Sequence, residues 1–213
     1  MNQYEFTLSF RLGNAEQSPG NYVEKLGASG CDDALIGIGK LGSISLNFNR
    51  ESESALKAIS TAIQDVKKVI PEATLTEATP DYVGMTEIAD VYGTSRQYVR
   101  KVVTSQSRSF PAPVHQGNPS LWHLADVLGW IDVHEPEKLD DKLFEMAKLN
   151  MQINAYKTYM HASSSSGLNV DFNTGKSRED GDWMKVIHDA MGSLAETTPE
   201  STSRRARKKA RAV

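Results

Sequence analysis

The spacing of Ala89, Gly93 and Val99 constrains this chain more than any other feature of its sequence. A helix-turn-helix packs its two helices nearly at right angles. It needs a small residue where they touch, a turn glycine four positions later and an apolar residue six beyond that. These three residues meet those conditions, and Ile88 and Val102 flank them as apolar positions. The surrounding residues write two short helices. Thr86 is placed to cap the first, to which Ile88, Ala89 and Tyr92 give an apolar face. Gly93 supplies the turn, where a positive φ costs glycine nothing. Ser95 is placed to cap the second helix, which runs from Arg96 to about Ser105 with Val99, Val102 and Val103 facing inward. The plainer alternative is an αα-hairpin inside a globular core.

The next residues favour a nucleic-acid-binding module. Phe110 to Trp122 (FPAPVHQGNPSLW) reads as two short extended arms around a Gly-Asn turn, a β-wing. His123 to Ile131 then reads as a helix with Leu124, Val127, Leu128 and Ile131 on one side. Two helices, a proline-bearing wing with FPAP and SLWHL, and a DVLGWI helix together resemble the winged helix-turn-helix of excisionase-like and MerR-like DNA-binding proteins. The resemblance covers about fifty of the 213 residues. More broadly, Tyr4 to Met160 looks like a family of bacterial proteins described only as DNA-binding, which implies no activity beyond the module.

Before this module, hydrophobic alternation and helical stripes predict the order β-α-β-β-α-β. Tyr4–Leu12 alternates with Phe6, Leu8 and Phe10 on one face. A short helix follows over Asn21–Leu26, ended by Gly27 and Gly30. Ala34–Ile38 and Ser43–Asn49 form a hairpin about Gly39–Gly42. A longer helix, capped by Ser52 or Ser54, carries Leu56, Ile59, Ile63, Val66 and Val69 or Ile70 as its buried stripe, and Pro71 ends it. Ala73–Ala78 is the last strand. The expected fold class is α+β: an N-terminal ferredoxin-like βαββαβ domain over 1–80, for dimerisation or sensing, then a winged helix-turn-helix over 81–133 and a long C-terminal helix. Thr79-Pro80-Asp81 is too short a linker to let the two parts move independently.

Past His134-Glu135-Pro136, residues 134–162 hold that long helix. Leu139, Met146, Ile153 and Met160 recur every seven residues, with Leu149 and Tyr156 adding part of a second seam that Lys142 breaks. The stripe suits either dimerisation or packing on its own domain, and the MerR-like resemblance favours pairing. Residues 163–181 read as a polar linker, 182–196 as a short amphipathic helix marked by Trp183, Ile187, Ala190 or Met191, and Leu194, and 197–213 as a basic disordered tail.

Net charge is −3, but residues 204–211 (RRARKKAR) carry six basic groups, so the remainder stands at −9. What matters is distribution: the module balances Arg96, Arg100, Lys101 and Arg108 against Glu87, Asp90, Asp126 and Asp132, and three of those basic residues, Arg96, Arg100 and Lys101, sit together on its second helix, which carries none of the acids. Hydrophobic content of 39% and charge of 24% fit a soluble globular chain. No apolar run approaches a membrane span of about 20 residues, no signal peptide is read, and a cytoplasmic, nucleoid-associated location is expected. The single cysteine, Cys31, suits a reducing compartment and reads as a buried, inert thiol.

The predicted function is a sequence-specific transcriptional regulator, a dimeric repressor reading an inverted repeat in double-stranded DNA. Arg96 and Gln97 are expected to reach base edges, since arginine pairs with guanine and glutamine with adenine in two-pronged geometry. Arg100 and Lys101 are expected on the backbone, Ser95 on a phosphate at the helix start, and Tyr98 on a phosphate or thymine methyl. His115, Gln116 and Asn118 of the wing are expected on the neighbouring minor groove or phosphates. Trp122 reads as a core plug. Two alternatives stand beside this: an antitoxin-like regulator gripping a partner protein encoded nearby, through the N-terminal domain or the 182–196 helix, and an excisionase-like architectural factor. No catalytic constellation, metal-ligand spacing or cofactor motif is read. The Asp32-Asp33 pair suits a solvated turn better than a cation site, and Gly37, Gly39 and Gly42 sit between paired strands where no phosphate loop fits.

Overall fold

The computed structural model describes residues 1–166 together with Ile187 and Asp189. The fold is mixed α+β. Among the described residues there are six α-helices and a four-stranded antiparallel sheet. The sheet holds β1 (Asn2–Arg11), β2 (Ala34–Gly37), β3 (Ser43–Ser52) and β4 (Thr74–Thr79) in the order β2-β3-β1-β4. Alternation in β1 buries Tyr4, Phe6, Leu8 and Phe10 on one face, and the paired Ile44, Leu46 and Phe48 of β3 join them.

The helices α1 (Val23–Ala28) and α2 (Ala55–Val69) close over that face. Ser54 caps α2, its hydroxyl accepting from the Lys57 N–H at 3.2 Å. Ile59, Ile63 and Val66 are fully buried as the helical stripe requires, while Leu56 and Val69 lie at its margin. The opposite face carries Glu5, Thr7, Ser9 and Arg11 beside Ser43, Ser45, Asn47 and Asn49. Asn47 donates to Thr7, and Ser9 meets Ser45 at 2.8 Å. Every aromatic residue of β1 and β3 is turned inward, so this face has no platform on which bases could stack.

A turn contact makes one glycine obligatory. Gly42 lies at φ +69°, and a Cβ there would stand 2.6 to 2.9 Å from backbone atoms of Ala15. The same residue ties the 13–17 loop to the hairpin, accepting from Leu12 and donating to Gln17. Gly42→Ala is expected to destabilise the chain by at least about 2 kcal/mol, combining left-handed strain with a backbone clash; urea unfolding measures it.

The second core is built from α3 (Met85–Val91), α4 (Arg96–Ser105) and α5 (Leu124–His134), with a two-stranded ribbon of β5 (Tyr82–Val83) and β6 (Trp122–His123). Trp122 is buried, its indole N–H donating to the Pro111 carbonyl at 3.0 Å, which makes it a plug as expected. The wing departs from its expected form. Its arms share one bridge, His115 to Leu121, and the second arm then pairs with β5. Proline at 111, 113 and 119 removes the donors a longer ladder needs.

A single helix joins the two cores. In α6 (Asp141–Ser166), Met146, Leu149 and Ile153 pack into the core of the sheet, while Ala147 packs into that of α3–α5. Glu145 accepts from Tyr4 Oη at 2.8 Å and from the Ala55 N–H at the start of α2. The seven-residue stripe, expected to suit dimerisation or self-packing, is therefore buried by the chain itself at Met146 and Ile153. Ile187 is helical and fully buried in the same core as Phe6 and Ile63. Residues 163–166, expected to begin the linker, instead continue α6, and Asp189 is helical like Ile187; the rest of the expected linker, amphipathic helix and basic tail lies outside the described residues.

Cys31 is buried. Burial, with Asp65 nearby, pushes its thiol up to about 11 from an ordinary 9.0. A raised folded-state pKa adds stability that is complete below pH 9.0 and is lost as pH rises through about 11. Iodoacetamide at pH 8 is expected to leave the native thiol unmodified and to alkylate it fully in urea, read by mass spectrometry.

Candidate nucleic-acid interface

The turn between α3 and α4 follows from its residues. Gly93 takes φ +64°, the Thr94 N–H donates back to Ala89 at 2.9 Å, and Ala89 and Val99 are buried where the helices meet. Two local expectations are corrected here. Thr86 does not cap α3; Gly84 holds that position, and the Glu87 carboxylate accepts from the Gly84 N–H at 3.0 Å, the one half of a capping box that a glycine allows. Val102 and Val103 are only partly buried. Ser95 does cap α4, its Oγ accepting from the Tyr98 N–H at 3.2 Å. Its hydroxyl proton remains available to a phosphate.

Arg96, Gln97, Arg100 and Lys101 are all exposed on one face of α4. Arg96, Gln97 and Arg100 line a shallow depression with Met85. A second depression continues along the helix past Gln97 and Arg100 to Lys101, Thr104 and Ser105. Among the described residues, neither Arg96, Arg100, Lys101 nor Arg108 forms an ion pair. An unpaired cationic strip with an amide at its centre is well suited to a row of phosphates beside base edges. Met85, Thr104 and Ser105 were not legible as members of this surface: the spacing marks α4 as a helix, but which neighbours border its face depends on how α3 crosses it.

Tyr98 sits differently from the expectation. Its ring stacks on Tyr92 at 5.9 Å and borders an apolar cleft with Val99, Phe110, Trp130 and Ile131. It braces α4 against the module core, with 40% of its surface exposed beside the basic strip. Tyr92 in turn donates to Glu135, and Lys138 lies 4.4 Å over its ring. Lys138 and Tyr92 together hold the Glu135 carboxyl below the usual range, and burial raises the Tyr92 phenol.

The wing residues His115, Gln116 and Asn118 are exposed around a turn that contains a cis Asn118–Pro119 bond. No hydrogen bond or ion pair among the described residues joins them to α4. The nine expected contact residues thus fall into two surfaces, one on the helix and one at the wing tip.

What holds the module in place is a buried polar cluster. Asp81 is fully buried, its two carboxylate oxygens meeting His123 Nδ1 at 2.6 Å and Asn154 Nδ2 at 2.8 Å. Asn154 also exchanges hydrogen bonds with both backbone groups of Ala78, and Asn150 donates to the Pro80 carbonyl. The Ala78–Asp81 linker is thereby clamped to α6. Among the described residues no three His, Cys, Asp or Glu side chains are grouped to hold a metal ion, and no helix is long and apolar enough to cross a membrane. No family model, curated protein or solved structure matches the chain.

Proposed function

We propose that this chain is a sequence-specific regulator that binds double-stranded DNA through α4 and the wing, built as a ferredoxin-like βαββαβ domain followed by a winged helix-turn-helix. The strand order β2-β3-β1-β4 supports the first part of that description. The second is supported by the succession of a capped helix pair, the 110–121 hairpin and the ribbon it enters. The observation that carries the function is the exposed strip of Arg96, Gln97, Arg100 and Lys101, unpaired within the described chain and placed after a glycine turn.

In this reading α4 enters a major groove. Arg96 and Gln97, at its N-terminal end, meet guanine and adenine edges. Arg100, Lys101 and the Ser95 hydroxyl meet phosphates, and Thr104 extends that contact. His115, Gln116 and Asn118 reach the flanking backbone or minor groove. Tyr98 is a brace whose exposed edge lies against the sugar-phosphate strand. One module buries too little surface for tight specific binding, so a homodimer on an inverted repeat is required. Burial of Ile187 in the chain's own core removes an apolar residue from the face that a partner protein would take, which weighs against the partner-gripping alternative.

A gel shift and footprint on the DNA upstream of the chain's own coding sequence, at two salt concentrations, tests the proposal. A protected inverted repeat, with affinity falling steeply as salt rises, is the expected result. Binding that never yields a footprint, on this DNA or on selected random duplexes, overturns sequence-specific recognition.

A further inference from the structure

The two edges of the sheet are treated differently. At β4 the outward backbone groups are taken up by α6: Asn154 pairs with the N–H and C=O of Ala78 at 3.0 and 2.8 Å, and Lys157 donates to the Thr76 carbonyl. At β2 nothing comparable occurs among the described residues. The Asn49 N–H donates to Asp33 O at 3.0 Å, so Asp33, Leu35 and Gly37 turn their backbone groups toward β3. Alternation then turns those of Ile36 outward, and the Ala34 carbonyl with them. Beside this open edge stand the exposed side chains of Leu35, Ile38 and Leu41, at 79, 51 and 60%. Uncovered edges with apolar flanks are templates for strand pairing.

We propose that β2 pairs with β2 of a second copy of this chain, antiparallel about a two-fold axis through Ile36. The edge is self-complementary in that register. The outward N–H and C=O of Ile36 meet those of its counterpart, and Ala34 meets Ile38 of the second copy. Asp32, exposed at one end, meets Lys40, exposed at the other. On the open face the protruding Leu35 lies across from Gly37, which has no side chain to obstruct it. Beneath the strand the two Ile36 side chains, each packed against its own core, become neighbours. Pairing joins the two sheets into one of eight strands and brings together the two modules that an inverted repeat requires. The inference does not depend on DNA binding: a dimer that binds no DNA leaves it intact.

Four residues make a short edge, so the expected dimer is of micromolar strength, measured by sedimentation from about 1 to about 300 μM. The full chain is expected to move from 23.5 kDa to twice that mass over this range. Leu35→Glu places a charge at an exposed site with no packing to lose, and it is expected to weaken association at least about tenfold with the melting temperature unchanged. Register is read by disulfide formation. A Cβ at Gly37 meets nothing closer than 3.5 Å, so cysteine is tolerated there. Chains carrying Leu35→Cys and Gly37→Cys are expected to crosslink when mixed, because directly opposite Cα atoms lie about 4.5 Å apart, whereas each alone pairs across a longer diagonal and crosslinks poorly. A chain that stays monomeric throughout, a dimer indifferent to Leu35→Glu, or equal crosslinking in mixed and unmixed samples overturns the proposal.

Discussion

Replacing Arg96 and Arg100 together by alanine is expected to lower affinity for the footprinted duplex by at least about 100-fold, through one lost base contact and one lost phosphate contact per module, doubled in a dimer. Both side chains are exposed, and neither forms an ion pair among the described residues, so the melting temperature is expected to stay within about 2 °C of wild type. The salt dependence is the sharper readout. Each lost phosphate contact lowers the slope of log affinity against log salt by about one. Gln97→Ala should behave differently, relaxing preference at one base position while leaving that slope intact. A double variant that shifts and footprints DNA normally removes α4 as the recognition element. Isothermal titration or fluorescence anisotropy, with circular dichroism as the control for folding, measures all three quantities.

Arg50→Met is expected to destabilise the chain by about 3 to 5 kcal/mol, the penalty for removing one partner of a buried charge network. Arg50 stands on β3 with its side chain 9% exposed. Its guanidinium binds both oxygens of Asp33 at 2.7 and 3.0 Å and Asp65 Oδ2 at 3.0 Å. It also donates to Thr61 Oγ1 and the Gly30 carbonyl, and it lies 4.9 Å over the Phe48 ring. This group knits the start of β2, the end of β3 and the middle of α2. Methionine keeps the stem but leaves Asp33 without its cation and Asp65 with Lys68 alone, at 2.7 Å. Adding Asp33→Asn and Asp65→Asn to the variant is expected to recover more than half of the loss, since neutral amides need no cation. If urea unfolding shows Arg50→Met within 1 kcal/mol of wild type, the network is solvated in solution and does not organise the fold.

Asp33 illustrates the limit of reading neighbours in sequence. The Asp32-Asp33 pair suggested a solvated turn, and Asp32 fits that description. Asp33 instead serves Arg50, seventeen positions away, because the hairpin returns β3 to the start of β2. The sequence carries both charges but not the path that brings them together.

Local periodicity and capping determined most of the elements. Alternation of apolar residues marks β1 and β3, the stripe from Ile59 to Ile70 marks α2, and Ser95 with Gly93 marks the start of α4, because these signals act over a few residues and depend only on backbone geometry. The exposure of Gln97, Arg100 and Lys101 on α4 was legible for the same reason, because those positions turn away from the buried Val99; that of Arg96, three residues before Val99, was not set by this spacing. Three things belonged to the tertiary structure alone. One is the use of the α6 stripe, since a seven-residue repeat is satisfied equally by a second helix or by a sheet. Another is the pairing of the wing's second arm with β5, decided by contact between residues some forty positions apart. The last is the clamp of Asp81, His123 and Asn154. Three polar residues far apart in the chain give no periodic signal, and only the tertiary structure brings His123 and Asn154 to the two oxygens of the buried Asp81 carboxylate.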